Sequence, residues 1–128
     1  MRNIIILFFL LILAINTQGQ NFKGRHIFGK KYAHELIKKA TNDSAKFNKC
    51  DKKKLLLANE KSSLEFAENH LFINSDTESI TAQRPYEIYL IDNYWYIRGT
   101  LPEHMLGGTF TLIINAVNKN IIFEKHTK

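Results

Sequence analysis

The sequence predicts an α+β domain in which N-terminal helices pack on one face of a four-stranded antiparallel sheet. Apolar residues recur at helical spacing in two segments that precede residue 73. Strand-like runs rich in Tyr, Ile and Trp follow from residue 86 onward, and the turn signal Asp92-Asn93 separates the first two. Helices followed by closely spaced strands are typical of this fold class.

Two segments carry the helical pattern. Between residues 32 and 40 the apolar positions line one face of a short amphipathic helix, which a polar break over 41–44 ends. Further along, Ser62 is the predicted N-cap and Glu65 reaches back to it as in a capping box, so a helix is expected over 62–72 with an apolar face that covers the sheet. The leucines at 55–57 belong to a weak helical or irregular segment.

The strands are expected after a polar loop at 74–78, over 86–91, 94–99, 109–115 and 121–125. Asp92 and Asn93 both tolerate the positive φ that a two-residue hairpin turn requires, so the first two strands form a hairpin. The last two are linked through residues 118–120. The four runs together predict an antiparallel meander.

The N-terminus has the layout of a cleavable signal peptide over residues 1–19. Its apolar run, residues 4–15, has about 12 members, whereas a membrane-spanning helix needs roughly 20, so no stable membrane anchor is expected after cleavage. Small residues at Thr17 and Gly19 place the mature N-terminus at Gln20. We expect export to the periplasm or the cell exterior. The mature chain is expected to form one domain over 20–128, which consists of a basic leader with short helices over 20–61 and a helix plus sheet over 62–128.

Charge and cysteine usage narrow the possible partners. Residues 20–61 carry 12 Lys/Arg against 4 Asp/Glu, and residues 62–128 carry 5 against 8. A basic half is compatible with nucleic acid or an anionic surface, but export argues against nucleic acid and favours a solvated basic face or an acidic protein partner. Cys50 is the only cysteine, so no intrachain disulfide can form, and without a neighbouring base it is expected to be a tolerated thiol.

The motifs of common catalytic and metal sites are incomplete. His34-Glu35 begins a zinc-protease helix motif, but Lys38 stands where the second histidine is needed. No phosphate-binding loop and no nucleophile elbow occurs, and the remaining histidines are not at ligand spacing. The sequence therefore predicts a binding protein with no cofactor and no metal; an enzyme would need partners that meet only in the fold.

Aromatic residues are concentrated in the second predicted strand. Because side chains alternate across a sheet, Trp95 faces away from Tyr94 and Tyr96. Trp95 is expected in the core against the 62–72 helix, while the tyrosines are either covered by the leader or form an open partner-binding surface. Glycines bracket a loop over 99–108 that should project from the sheet. The candidate partner-binding residues are Arg84, Tyr94, Tyr96, Glu103, His104 and Met105.

Several segments together resemble a known family. They are SLEFAE at 63–68, QRPY at 83–86, YWYIRGTLP at 94–102, GGTF at 107–110 and IIFEKHTK at 121–128. In order and spacing they resemble the nuclear transport factor 2-like (cystatin-like) immunity proteins of bacterial polymorphic toxin systems. The resemblance implies a cone-like curved sheet and a protein that occludes a cognate toxin without catalytic residues. Departures at 72–75, 118–120 and Thr127 affect turns, where Asn can replace Gly.

The leading hypothesis is an exported immunity protein that binds and neutralises a cognate toxin. The alternatives are a periplasmic small-ligand-binding domain that uses the concave sheet, and an inhibitor of a periplasmic hydrolase. The sequence does not specify the toxin or the oligomeric state.

Overall fold

The computed structural model describes residues 21–43 and 54–128, so the predicted signal peptide and Cys50 lie outside the described residues. The elements are, in chain order, α1 (Lys30–Asp43), α2 (Glu60–Asn74), α3 (Thr77–Thr81), β1 (Glu87–Ile91), β2 (Tyr94–Arg98), β3 (Phe110–Asn115) and β4 (Ile121–His126). Helices precede an antiparallel sheet, so the predicted α+β class is confirmed. The cone-like curvature stays a prediction.

The sheet is a meander with strand order β1-β2-β3-β4. Asp92 and Asn93 join β1 to β2 with φ of 50° and 64°, as the hairpin prediction requires. Lys119 takes the positive φ, 65°, in the β3–β4 connection. The register of β3 against β4 shifts between Ile113 and Ile114. The strand boundaries lie within about two residues of those predicted, a normal uncertainty for such boundaries.

The helix boundaries differ from the predictions in three places. The predicted N-cap at Ser62 is wrong, because α2 begins three residues earlier and Asn59 is the N-cap. The Asn59 side chain accepts a hydrogen bond from the Ser62 N–H at 2.9 Å, so Ser62 is the third residue of the helix. The predicted helix break also begins too early: it was expected at residue 41, whereas α1 continues to Asp43. The short helix α3, capped by Asp76, lies where a loop was expected.

One face of the sheet packs against α2 and α3. Trp95 is buried in this core together with residues of α2 such as Ala67 and Leu71. The Trp95 indole Nε1–H donates a hydrogen bond of 2.8 Å to the Leu57 carbonyl, so the ring also fixes the irregular segment before α2. The prediction that Trp95 is a core residue is confirmed.

The opposite face of the sheet packs against α1. Ala33 and Ile37 of α1 are buried against Tyr94, Tyr96 and Ile113 in a second core. The expectation that helices occupy only one face of the sheet is therefore wrong. Every position of β2 is buried, so this strand lacks the alternation of apolar and polar residues that marks a half-exposed sheet.

Candidate functional site

The leader residues before α1 form a strap across the end of the sheet. Arg25 pairs with Pro102 in an isolated antiparallel bridge, and the His26 N–H donates to the Leu101 carbonyl at 3.0 Å. The Glu103 N–H in turn donates to the Gly24 carbonyl at 2.9 Å. The start of the basic leader is therefore hydrogen-bonded to the domain. The strap anchors the first part of the 99–108 loop.

The Arg25 guanidinium ties three chain segments together at this corner. Its Nη2 donates to the carbonyls of Arg84 at 2.6 Å and Thr100 at 2.8 Å, and its Nε donates to the Thr100 hydroxyl at 3.0 Å. The Thr100 hydroxyl itself donates to the Pro85 carbonyl at 2.7 Å. The 83–86 segment and the 99–102 segment, both of which carry the family resemblance, are therefore held side by side by a leader residue.

Two glycines of the 99–108 loop are required by close approaches. A Cβ on Gly99 would lie 2.0 Å from the Gln83 side-chain oxygen, which accepts the Phe110 N–H at 2.9 Å. A Cβ on Gly108 would lie 1.4 Å from the Thr127 carbonyl oxygen. Any side chain at either position would displace its neighbours, so these glycines fix both ends of the loop.

The loop presents its tip to solvent, as expected. Glu103, His104 and Met105 are all exposed, and the side chain of Leu106 is 100% exposed. A small cleft of about 90 Å³ lies between this loop and the strap; its lining includes His26, Arg98, Glu103, Met105 and Thr127. Two predicted residues, Glu103 and Met105, therefore line this cleft, and His104 is exposed in the same loop. Leu106 is a neighbour that the prediction omitted although it belongs to the same loop.

Arg84 is exposed on the other side of this corner. Its guanidinium forms an ion pair with Glu68 of α2, and hydrogen bonding to that carboxylate raises the pKa of Arg84. An open groove of about 380 Å³ lies beside the pair and is lined by Leu64, Glu68, Arg84, Pro85 and Tyr86. Arg25 donates hydrogen bonds to the carbonyls of both Arg84 and Thr100, so Arg84 is close to the start of the loop. The Arg84 side chain does not line the loop cleft.

Tyr94 and Tyr96 are not on an open surface, and the expectation that they are exposed is wrong. Their exposed fractions are 9% and 0%, because α1 covers this face of the sheet. Burial, together with the nearby charge of Glu87, raises the pKa of Tyr96 above its ordinary value. The two tyrosines are core residues in this structure.

A buried carboxylate that the predictions overlooked holds the start of α1. The Glu87 side chain, which is fully buried, accepts hydrogen bonds from the N–H groups of Gly29 at 2.8 Å and Phe28 at 3.2 Å. It also accepts from the Tyr89 hydroxyl at 3.1 Å and pairs with Arg98 at 3.4 Å. A carboxylate at a helix N-terminus is favourable because it meets unpaired N–H groups. The sequence feature that could have revealed this role is the single charged residue, Glu87, in the otherwise apolar strand β1.

Among the described residues, no group of three or more His, Cys, Asp or Glu side chains comes together as a metal site would require. Nor does the described part of the chain contain a helix long and apolar enough to cross a membrane. Anchored backbone, an exposed apolar loop tip and an exposed arginine suit contact with another macromolecule.

The fold and this corner define a small α+β protein that presents one anchored loop beside a helix-covered sheet. A family model described as NTF2 fold immunity protein matches residues 62–128, just over half of the chain, so the chain belongs to this immunity protein family. The matched part begins within α2 and includes the entire sheet and the 99–108 loop. No curated protein and no solved structure shows significant similarity to the chain.

Proposed function

We propose that this chain is an exported immunity protein that binds and neutralises a cognate bacterial toxin. Membership of the NTF2 fold immunity protein family is the observation that carries the proposal. The small-ligand alternative has less support, because α1 fills the sheet face on which such a ligand would lie.

The 99–108 loop is the proposed contact surface. Met105 and Leu106 are exposed apolar side chains next to each other, with exposed fractions of 52% and 100%. The strap and the two tight glycines hold the loop ends, so little conformational entropy is lost when the tip contacts a partner. Glu103 and His104 supply polar contacts at this tip, and Arg84 supplies a cation on the other side of the corner.

Export is part of the proposal and has its own test. The N-terminal apolar run is shorter than a membrane span and is followed by small residues, so we expect removal of residues 1–19. Intact-mass measurement on protein recovered from the cell envelope should give a chain that begins at or near Gln20. A mass that retains the first 19 residues would contradict cleavage.

The functional test requires the cognate toxin, and the candidate to try is any secreted toxin found to be encoded beside this gene. Co-expression with the mature chain should restore growth of cells in which that toxin is directed to the envelope. Leu106→Asp should weaken binding by about tenfold or more, since a charge replaces an apolar contact. Ile73→Asp is the matched control, because it introduces the same charge at an apolar side chain that is 80% exposed near the end of α2 and lies outside the 99–108 loop.

The outcomes separate the function from the contact surface. Failure of the wild-type chain to bind or protect against the toxin argues against the immunity function. Binding that Leu106→Asp and Ile73→Asp weaken equally, in variants shown to be folded by circular dichroism, argues against the loop as the contact surface.

A further inference from the structure

The strap and α1 make one side of the molecule basic. Residues 21–43 contain six Lys/Arg against two Asp/Glu, whereas residues 62–128 contain five against eight. Because α1 packs on one sheet face and α2 on the other, the lysines of α1 lie on the opposite side of the sheet from α2. All four lysines of α1 are exposed. The basic side therefore belongs to the part of the chain that the family model does not match.

An exposed aromatic row lies on the same side. The rings of His26, Phe28 and Tyr32 contact one another in sequence, with centroid distances of 5.7 Å and 4.8 Å. The Arg98 guanidinium carbon lies 3.4 Å from the centroid of the Phe28 ring, which fixes that ring from one face. Phe28 and Tyr32 each remain 43% exposed. These rings are held in place and still available to a partner.

The lysines at the start of α1 gain little from the fold itself. Lys30 and Lys31 occupy the first turn, where the positive end of the helix dipole disfavours cations, and no acidic residue shares that turn. No ion pair joins any α1 lysine to another residue of the part that the structure describes. The Glu87 carboxylate meets the backbone N–H groups of Phe28 and Gly29 at this end of α1, whereas the exposed ammonium groups of Lys30 and Lys31 are left to interact with an external anionic group.

We propose that Lys30, Lys31 and the His26–Phe28–Tyr32 row form a second contact surface that binds an acidic surface of the partner protein. This inference rests on the proposed immunity function and specifies the chemistry of the toxin face. An acidic protein suits the surface better than an anionic membrane does. The Phe28 ring is fixed by Arg98 and Tyr32, so it is shaped for a complementary protein surface and is not free to insert into lipid.

The charge contribution is tested by reversing the lysines. With the toxin that the wild-type chain neutralises as the probe, Lys30→Glu combined with Lys31→Glu should weaken binding about tenfold or more at ~0.1 M salt, mainly through slower association. The difference from wild type should shrink at ~1 M salt, where the Debye length is only ~3 Å. Lys61→Glu is the matched control, an exposed lysine in the first turn of α2 on the opposite side of the sheet, and should change affinity by less than about twofold.

The aromatic contribution is tested by Tyr32→Ala, which should also weaken binding about tenfold, because truncated interface tyrosines commonly have effects of this size. Unfolding curves for each variant exclude loss of the fold as the cause.

The inference is overturned if toxin affinity is unchanged in the lysine double variant and in Tyr32→Ala. It is also overturned if the lysines instead govern binding to phosphatidylglycerol vesicles, or if sedimentation shows that the surface joins two copies of the chain. A wild-type protein that neither binds nor neutralises a toxin encoded beside its gene would instead reject the proposed immunity function.

Discussion

Tyr96 was predicted to be a partner-binding residue but is a buried core residue. Its hydroxyl is buried and makes no hydrogen bond to another described residue. Removing a buried polar group that lacks a partner is neutral or favourable, so Tyr96→Phe should raise the free energy of unfolding by up to about 1 kcal/mol. Urea denaturation measures this change. The same variant should leave toxin affinity intact; a marked loss of either quantity would show that the hydroxyl has a role that its surroundings do not suggest.

Trp95 contributes through both its ring and its indole N–H. The ring is buried against α2, and the N–H binds the Leu57 carbonyl at 2.8 Å. Trp95→Ala should lower the free energy of unfolding by roughly 3–5 kcal/mol, as for other large aromatic residues in cores. Trp95→Phe retains much of the packing and should cost less. Equal unfolding midpoints for wild type and Trp95→Ala would mean that this face of the sheet is not the principal core.

Glu87 determines whether α1 stays on the sheet. Its carboxylate receives two N–H groups at the start of α1 and pairs with Arg98, whose side chain is nearly buried. Glu87→Gln leaves Arg98 without its counter-charge, and breaking a buried pair in this way typically costs about 3–5 kcal/mol. Hydrogen exchange should accelerate in α1 more than in α2, while the exposed Glu65→Gln should leave both unchanged. Exchange that is equally slow in α1 of wild type and Glu87→Gln would contradict the role of Glu87.

Individual elements differ in how far the sequence could predict them. The β1–β2 hairpin was predictable because Asp92 and Asn93 both adopt the positive φ that its turn requires. The start of α2 was not, since Asn59 and Ser62 both satisfy the chemistry of an N-cap, and the tertiary context selects the earlier one. The five-residue helix α3 has too few turns to show an apolar period.

The arrangement of elements was harder to predict than the elements themselves. Both faces of β2 are apolar, so alternation could separate Trp95 from Tyr94 and Tyr96 but could not say which helix covers which set. The exposed 103–105 tip followed from the bracketing glycines, whereas the strap depends on Arg25, whose partners at Arg84 and Thr100 are 59 and 75 residues away in sequence. The spacing of residues within a short segment does not predict contacts between residues so far apart in sequence.

The family match covers residues 62–128, yet α1, which lies outside that match, packs directly on the sheet. A fragment of residues 54–128 keeps the sheet, α2 and α3 but exposes Tyr94, Tyr96 and Ile113, which α1 buries in the full chain. An apolar sheet face without a cover promotes association, so the fragment should self-associate or unfold at much lower urea than the mature chain. Adding a peptide of residues 21–43 should restore a monomeric, more stable species, whereas the same peptide with Ala33 and Ile37 both changed to Asp should not. Sedimentation and urea denaturation decide the outcome: a fragment that is monomeric and as stable as the mature chain would show that residues 62–128 fold independently and that α1 is only an appended surface element.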